Sequence, residues 1–132
     1  MHSPSRGASA ITGTTSMSSN DRITALLRML ERNPADARLH FGLAMEYEKQ
    51  GRWQDVVDVL HTYLGAADDE GNAWGRLAHA LDRLGRSDEA RIAYEIGIIA
   101  ARSHGHPSMA EEFEDLLRTT LRSVGNDPSD HG

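Results

Sequence analysis

An internal repeat limits the possible folds more than any other feature of this sequence. One pattern occurs twice within residues 37–102, at an offset of 34 positions. The matched pairs are Leu43 and Leu77, Ala44 and Ala78, Tyr47 and Leu81, Gly51 and Gly85, Val56 and Ala90, and Leu60 and Tyr94. A period of this length is typical of repeat proteins, in which each repeat is a helical unit that stacks on the next. The repeat therefore predicts an all-α protein.

Each copy of the pattern has the features of two antiparallel helices. Apolar residues recur at spacings of three and four in the first helix of each copy, which places them on one face. The small residues Ala44 and Ala78 lie where the paired helices would cross and let the backbones approach. Gly51 and Gly85 follow, and glycine is favoured where a chain leaves a helix in a left-handed conformation.

The second copy resembles a tetratricopeptide repeat. It carries the family pattern at Trp74, Leu77, Ala78, Leu81, Gly85, Ala90, Tyr94 and Gly97. The first copy departs from that pattern, with His40 in place of Trp, Tyr63 in place of a small residue and Asp68 in place of the closing proline. The resemblance covers roughly residues 21–121, and the chain is similar to small stand-alone bacterial repeat proteins of unassigned function.

The resemblance implies an all-α solenoid of about six helices. Its expected units are a half repeat at 21–36, full repeats at 37–70 and 71–104, and a C-terminal capping helix at 107–122. Residues 1–20 and 123–132 are predicted to be disordered, because they hold too few large apolar residues to form a core. Composition also suggests Met17 as an alternative start of the protein.

Capping residues predict where several helices begin. The expected N-caps are Asn20 or Ser19 for the first helix, Asp36 for the second, Ser87 for the fifth and, in a capping box, Ser108 for the sixth. The apolar stripe of the first helix is predicted to contain Ile23, Leu26, Leu27 and Leu30. The fifth helix continues through Ile92, Ile96 and Ile99.

Composition restricts the class of function. The net charge of −6 argues against binding to nucleic acid or to an anionic membrane, since both need a basic excess. The absence of cysteine excludes disulfides, thiol catalysis and cysteine-type zinc sites. No apolar run approaches the length of a membrane span, and no secretory signal is evident. We therefore predict a single-domain cytoplasmic protein.

The candidates for catalysis or metal binding are few. The acidic loop 68–70 lacks the ligand spacing of a calcium site and is expected to be a solvated turn. His104 and His106, with His131, could hold a metal, but they flank a helix break without a fixed third ligand. No Ser/His/Asp set has a recognisable context. We expect a protein that is not an enzyme and needs no cofactor or metal.

The resemblance also implies a binding surface, because the first helix of each repeat in this family lines a concave groove that binds peptides. The groove residues implied here are Arg38, Phe41, Met45, Glu48, Asn72, Arg76, His79 and Arg83. Phe41 and Met45 would form an apolar floor, beside a polar wall contributed by the second repeat. Because arginine suits carboxylate recognition, we expect an unknown, acidic or carboxylate-bearing protein segment as the partner.

Alternatives to this binding surface remain open. One subclass of the family binds the C-terminal carboxylates of chaperones through Lys and Asn, but Phe41, Met45 and His79 occupy those positions here, so that function is not expected. The wall could instead be a solvated helix face, with Phe41 packed against the first helix. The protein could also be a structural subunit that forms a homodimer through the half repeat or the terminal helix, without a groove ligand.

Overall fold

The computed structural model describes residues 17–125, and its regular secondary structure over that range is all helical, which confirms the predicted all-α class. Its helices are α1 (Ser19–Arg32), α2 (Ala37–Lys49), α3 (Trp53–Ala66), α4 (Asn72–Arg83), α5 (Ser87–Ser103) and α6 (Pro107–Gly125). No strand occurs among these residues. Residues 1–16 and 126–132, which make up most of the two ends predicted to be disordered, lie outside the described part of the chain.

The helices pack in the order of the sequence. Each one lies mainly against the helix before it and the helix after it. The core is therefore a continuous band along the array, and its largest fully buried side chains are Leu60, Leu77, Val56 and Val57. Within residues 17–125, no helix has both the length and the apolarity needed to cross a membrane.

The two copies of the repeat occupy equivalent environments. Every matched pair of apolar side chains from the 34-residue offset is buried in both copies. At the predicted crossing points, Ala44 is 2% exposed and Ala78 is fully buried. The apolar periodicity of the sequence thus identified the inward face of α2 and α4.

Glycine ends three of the helices in the same way. Gly51, Gly85 and Gly105 have positive φ angles of 70°, 78° and 78°. In each turn the residue after the glycine donates its N–H to the carbonyl five positions earlier, as Arg86 does to Leu81 over 2.9 Å. This is the Schellman arrangement, which satisfies carbonyls at a helix end and favours glycine at the left-handed position.

Three predicted helix starts are wrong by one residue or more. The N-cap of α1 is Ser18, because its hydroxyl accepts from the Asp21 N–H in a capping box. Ser19 and Asn20 are therefore helical and not part of an N-terminal extension.

Ser87 is the first residue of α5 and not its cap. Pro107 begins α6, so Ser108 lies inside the helix; proline is well suited to a first turn, where its missing N–H costs nothing. Asp36 caps α2 as expected.

Two helices expose apolar residues, among them Leu27, which was predicted to lie on the apolar stripe of α1. Leu27 of α1 is 43% exposed, although Ile23 is buried. Ile92, Ile96 and Ile99 of α5 are exposed, while Ala93, Tyr94, Gly97 and Ile98 of that helix are buried. Helical periodicity indicates which residues share a face, but it does not show whether a neighbouring helix covers that face.

One aromatic side chain packs the last helix against α4 and α5. Phe113 of α6 is buried and lies between Gly75 of α4 and Gly97 of α5. A Cβ atom added at Gly75 would overlap the Phe113 ring, and one at Gly97 would come within 3.1 Å of it. The two glycines therefore provide the space into which the ring fits.

A buried carboxylate joins the first helix to the second. Glu46 of α2 accepts hydrogen bonds from Ser19 Oγ at 2.9 Å, Arg22 Nε at 3.0 Å and Lys49 Nζ at 3.2 Å. Burial acts to raise the pKa of Glu46, but the hydrogen bonds from Ser19, Lys49 and Arg22 outweigh it and hold the pKa below its ordinary value. The ionised carboxylate thus stabilises the contact between α1 and α2.

Candidate functional site

A cleft of about 280 Å³ lies where α2, α4 and α6 meet. Its walls are part polar and part apolar, as in most sites that bind organic ligands or peptides. The lining residues are Glu48, Asn72, Gly75, Arg76, His79, Tyr94, Met109, Glu112, Phe113 and Leu116. The cleft is therefore built by elements that are distant in sequence.

The floor of the cleft is apolar and belongs mainly to the last two helices. Phe113 is buried, Met109 is half-buried and Leu116 is 39% exposed. The Tyr94 and Phe113 rings pack with their centroids 6.0 Å apart. Burial, together with the charges of Asp82 and Glu112, raises the pKa of Tyr94 to about 12, so its hydroxyl stays neutral at physiological pH.

The polar wall is centred on an ion pair. The Arg76 guanidinium of α4 pairs with the Glu48 carboxylate of α2, and its Nε donates to Asn72 Oδ1 at 3.1 Å. The same guanidinium lies 5.7 Å from the centroid of the Phe41 ring. Glu48 and Glu112 place two carboxylates in the cleft beside Arg76. The wall therefore carries both signs of charge.

A second polar group flanks the cleft around Trp53, at the start of α3. The His79 ring lies edge-on to the Trp53 ring, at 5.3 Å between centroids. The Arg83 guanidinium lies 5.5 Å from the Trp53 centroid. Arg83 thus makes a cation–π contact with Trp53, and both Arg83 and His79 remain exposed.

The structure brings half of the predicted groove residues into the cleft. Glu48, Asn72, Arg76 and His79 line it. Phe41 adjoins it through Arg76, and its ring also packs on Tyr63 of α3 at 5.2 Å between centroids. Three others are outside the lining, namely Arg38 and Arg83, which are exposed, and Met45, which is half-buried. The assignment of all eight residues to a binding surface stays a prediction.

Sequence reasoning missed the contribution of α6. Met109, Phe113 and Leu116 share one face of that helix, and the apolar spacing of Phe113 and Leu116 was visible in the sequence. The sequence predicts α6 as a capping helix, and the predicted groove includes none of its residues. Phe113 does fill the core, but Leu116 of the same stripe extends to the surface and completes the cleft.

The histidines and the acidic loop meet at one end of the helical array. His106 Nε2 lies 2.7 Å from Glu70 Oε1, and His104 Nε2 lies 3.6 Å from Asp68 Oδ2. Among residues 17–125, no group of three or more histidine and carboxylate side chains is arranged to hold a metal ion. These pairs join the loop before α4 to the loop before α6. His131, the third histidine considered from the sequence, lies outside the described residues.

Asp69 has a structural role in the same loop. Its Oδ2 accepts from the backbone N–H of Gly71 and of Ala73, both at 2.9 Å. These N–H groups lie at the start of α4, where helix donors lack intrahelical partners. Asp69 therefore caps α4 from two residues before the N-cap position, and the acidic loop is more than the solvated turn expected from the sequence.

Comparison with known proteins adds no further constraint on function. No protein-family model matches the chain, and no curated protein matches it significantly either.

Proposed function

We propose that this protein is a protein-interaction module, built as a tetratricopeptide-like solenoid, that binds a segment of another protein in the cleft between α2, α4 and α6. The convergence of these three alternate helices on one cleft is the observation that carries the proposal. Alternate helices lie side by side when helical pairs stack, and such stacking creates an extended binding surface. The sequential packing and the equivalent burial of the two copies support the same architecture.

The lining of the cleft suggests the chemistry of the ligand. Leu116 and Phe113 offer an apolar floor, and Arg76 offers a guanidinium that Glu48 already engages. An incoming carboxylate would compete with Glu48 for Arg76, while an adjacent apolar side chain would cover Leu116. We therefore propose an amphipathic acidic segment as the ligand. We further propose that the protein acts as a cytoplasmic adaptor and not as an enzyme, consistent with its acidic, cysteine-free composition.

If a ligand carboxylate competes with Glu48 for Arg76, substitutions of these two residues should change peptide affinity in opposite directions. The probes are two pools of short fluorescent peptides, one of leucine with aspartate and glutamate and the other of leucine with lysine. We expect the acidic pool to bind. Arg76→Gln should weaken that binding by roughly tenfold, which is the scale of one hydrogen bond to a charged group. Glu48→Gln should tighten it, because the guanidinium then has no internal carboxylate partner.

Arg91→Gln is the matched control. Arg91 is an ion-paired arginine on α5 with a side-chain exposure of 37%, close to the 32% of Arg76. It should leave peptide affinity unchanged, whereas Leu116→Ala should reduce it. Equal binding of the two pools, or Gln variants of Arg76 and Glu48 that change affinity in the same direction, would contradict the proposal.

A further inference from the structure

A second groove, formed by α3, α4 and α5, shares no lining residue with the cleft. Its volume is about 260 Å³. Its lining residues are His61, Trp74, Leu77, Leu81, Glu89, Ile92, Ala93 and Ile96. Apart from His61 and Glu89 these side chains are apolar, so the groove is a place where an apolar side chain from outside would gain free energy by leaving water.

An exposed apolar stripe runs along one edge of this groove. Ile92, Ile96 and Ile99 of α5 are 49%, 37% and 67% exposed. Their spacing of four and then three residues aligns them on one face of the helix. Isolated apolar residues are common on protein surfaces, but a contiguous apolar patch marks an interaction site.

The ends of the chain are poorly suited to cover this surface. Residues 1–16 contain only Met1 and Ile11 as large apolar residues, and residues 126–132 contain none. A groove lined by isoleucine, leucine and tryptophan needs a partner with several large apolar side chains in register. Helix α5 has such a set itself, in Ile92, Ile96 and Ile99.

We propose that α5 is a homodimer interface, in which the α5 helices of two copies pack antiparallel about a two-fold axis near Ile96. Ile99 of one copy would then lie towards Ile92 of the second copy and towards its groove. Each copy would thus present the same ridge and the same groove, as an isologous interface requires. This surface is distinct from the half repeat and the terminal helix through which the sequence suggested self-association.

The charges of α5 favour the antiparallel orientation. Asp88 and Glu89 lie in its first turn and Arg102 lies in its last turn. Antiparallel pairing places the acidic start of one helix beside the basic end of the other and also aligns their dipoles favourably. Within its own chain Glu89 pairs with Arg86, and Arg102 pairs with Glu114. Arg102 is more than half exposed and can contact a second carboxylate.

The size of the surface predicts the strength of association. A helix of 17 residues is about 25 Å long, so one helix pair with its flanking groove forms a small interface. Interfaces at the small end of the range are weak or transient. We therefore expect a monomer–dimer equilibrium that depends on concentration.

Sedimentation equilibrium of the full chain over a wide concentration range tests the proposal. We expect the wild type to form a dimer and Ile99→Lys to raise its dissociation constant at least tenfold. Ile99 is exposed enough for the fold to tolerate lysine. Met29→Lys is the control, because Met29 of α1 is also an exposed apolar residue, at 49% against 67% for Ile99. A monomer at all concentrations, or equal effects of the two lysine variants, would overturn the proposal.

Charge reversal tests the antiparallel orientation. Glu89→Arg and Arg102→Glu should each weaken the dimer. The double variant should restore it to within a few-fold, because the arginine introduced in the first turn of one copy then faces the glutamate introduced in the last turn of the other. A double variant as weak as the singles would exclude this orientation.

Cross-linking locates the axis. The chain has no cysteine, so Ile96→Cys introduces the single thiol and should give a covalent dimer on oxidation. Met29→Cys should not do so at the same protein concentration. Equal cross-linking of the two variants would overturn the proposal. Peptide binding in the cleft should be unchanged in Ile99→Lys, so failure of this proposal would be distinguishable from failure of the proposed function.

Discussion

At the residue scale, adding one methyl group should have opposite effects at two helical glycines. A Cβ atom added at Gly75 of α4 would meet the Phe113 ring, whereas one added at Gly65 of α3 would have no neighbouring atom within 4 Å. Gly75→Ala should destabilise the fold by about 1–3 kcal/mol through overpacking. Gly65→Ala should stabilise it by about 0.5–1 kcal/mol, because alanine is the better helix former.

Urea denaturation of the two variants and the wild type measures both effects. Gly65→Ala serves as the control, since it makes the same chemical change in another helix without a packed neighbour. If both variants are stabilised, the Phe113 ring does not occupy the space beside Gly75, and the floor of the cleft is arranged differently.

The sequence predicted some residue environments better than others. The paired positions Leu43 and Leu77 were identified because a repeated pattern records the same inward face twice. The space that Gly75 provides for Phe113 was not predictable, since it depends on a contact between two residues far apart in the sequence. A single glycine in a helical pattern does not indicate which side chain will approach it.

At the element scale, the attachment of α1 to α2 should depend on pH. The pKa of Glu46 is lowered in the folded state from an ordinary value of 4.5. The ionised carboxylate therefore stabilises the fold above that ordinary value, and its contribution is lost as the pH falls through the lowered pKa. Glu46→Gln should cost about 1–2 kcal/mol at neutral pH, because the charged hydrogen bonds are weakened.

Thermal denaturation from neutral pH down to about pH 3 tests this linkage. The difference in Tm between the wild type and Glu46→Gln should shrink in acid. Glu31→Gln, which changes an exposed glutamate of α1, should have little effect at any pH. A difference in Tm that stays constant across this range would show that the charge of Glu46 is not what holds α1.

Helix boundaries show why local signals were only partly predictive. Each predicted N-cap was a chemically reasonable serine, aspartate or asparagine, yet Ser18 caps α1 in place of Ser19 because Asp21 completes its capping box. The stop signals were more reliable, since the left-handed turns at Gly51 and Gly85 leave few alternatives to glycine. Neighbouring residues of similar capping ability leave a helix start ambiguous by a few positions.

At the scale of the whole molecule, the candidate site was predictable only in part. The resemblance to a helical repeat implied groove positions on α2 and α4, among them Glu48 and Arg76. The repeat pattern gave no information on α6, which lies outside the repeat and completes the cleft with Leu116. The ion pair between Arg76 and Glu48 also depends on how the two repeats stack, and a pattern that aligns them does not fix that geometry.

Sequential packing predicts that stability is graded along the chain. Helix α1 has one main neighbour and one buried residue, Ile23, whereas α4 lies between two neighbours and buries six residues. In arrays of this kind stability is approximately a sum of the units and their nearest-neighbour interfaces. We therefore expect α1 to open at a lower free energy than α4 and α5.

Native-state hydrogen exchange resolved by residue measures this gradient, because local openings expose the amides of each helix separately. Amides of α1 should exchange fastest among the helix centres, and those of α4 and α5 slowest. Glu46→Gln should lower the protection of α1 and leave that of α5 nearly unchanged, since α1 and α5 are not neighbours in the array. Uniform protection, with every helix reporting the global free energy of unfolding, would instead show that the array opens as one cooperative unit. In that case the effect of Glu46→Gln would spread equally over α1 and α5, and the interface between α1 and α2 could not be a separable element of the fold.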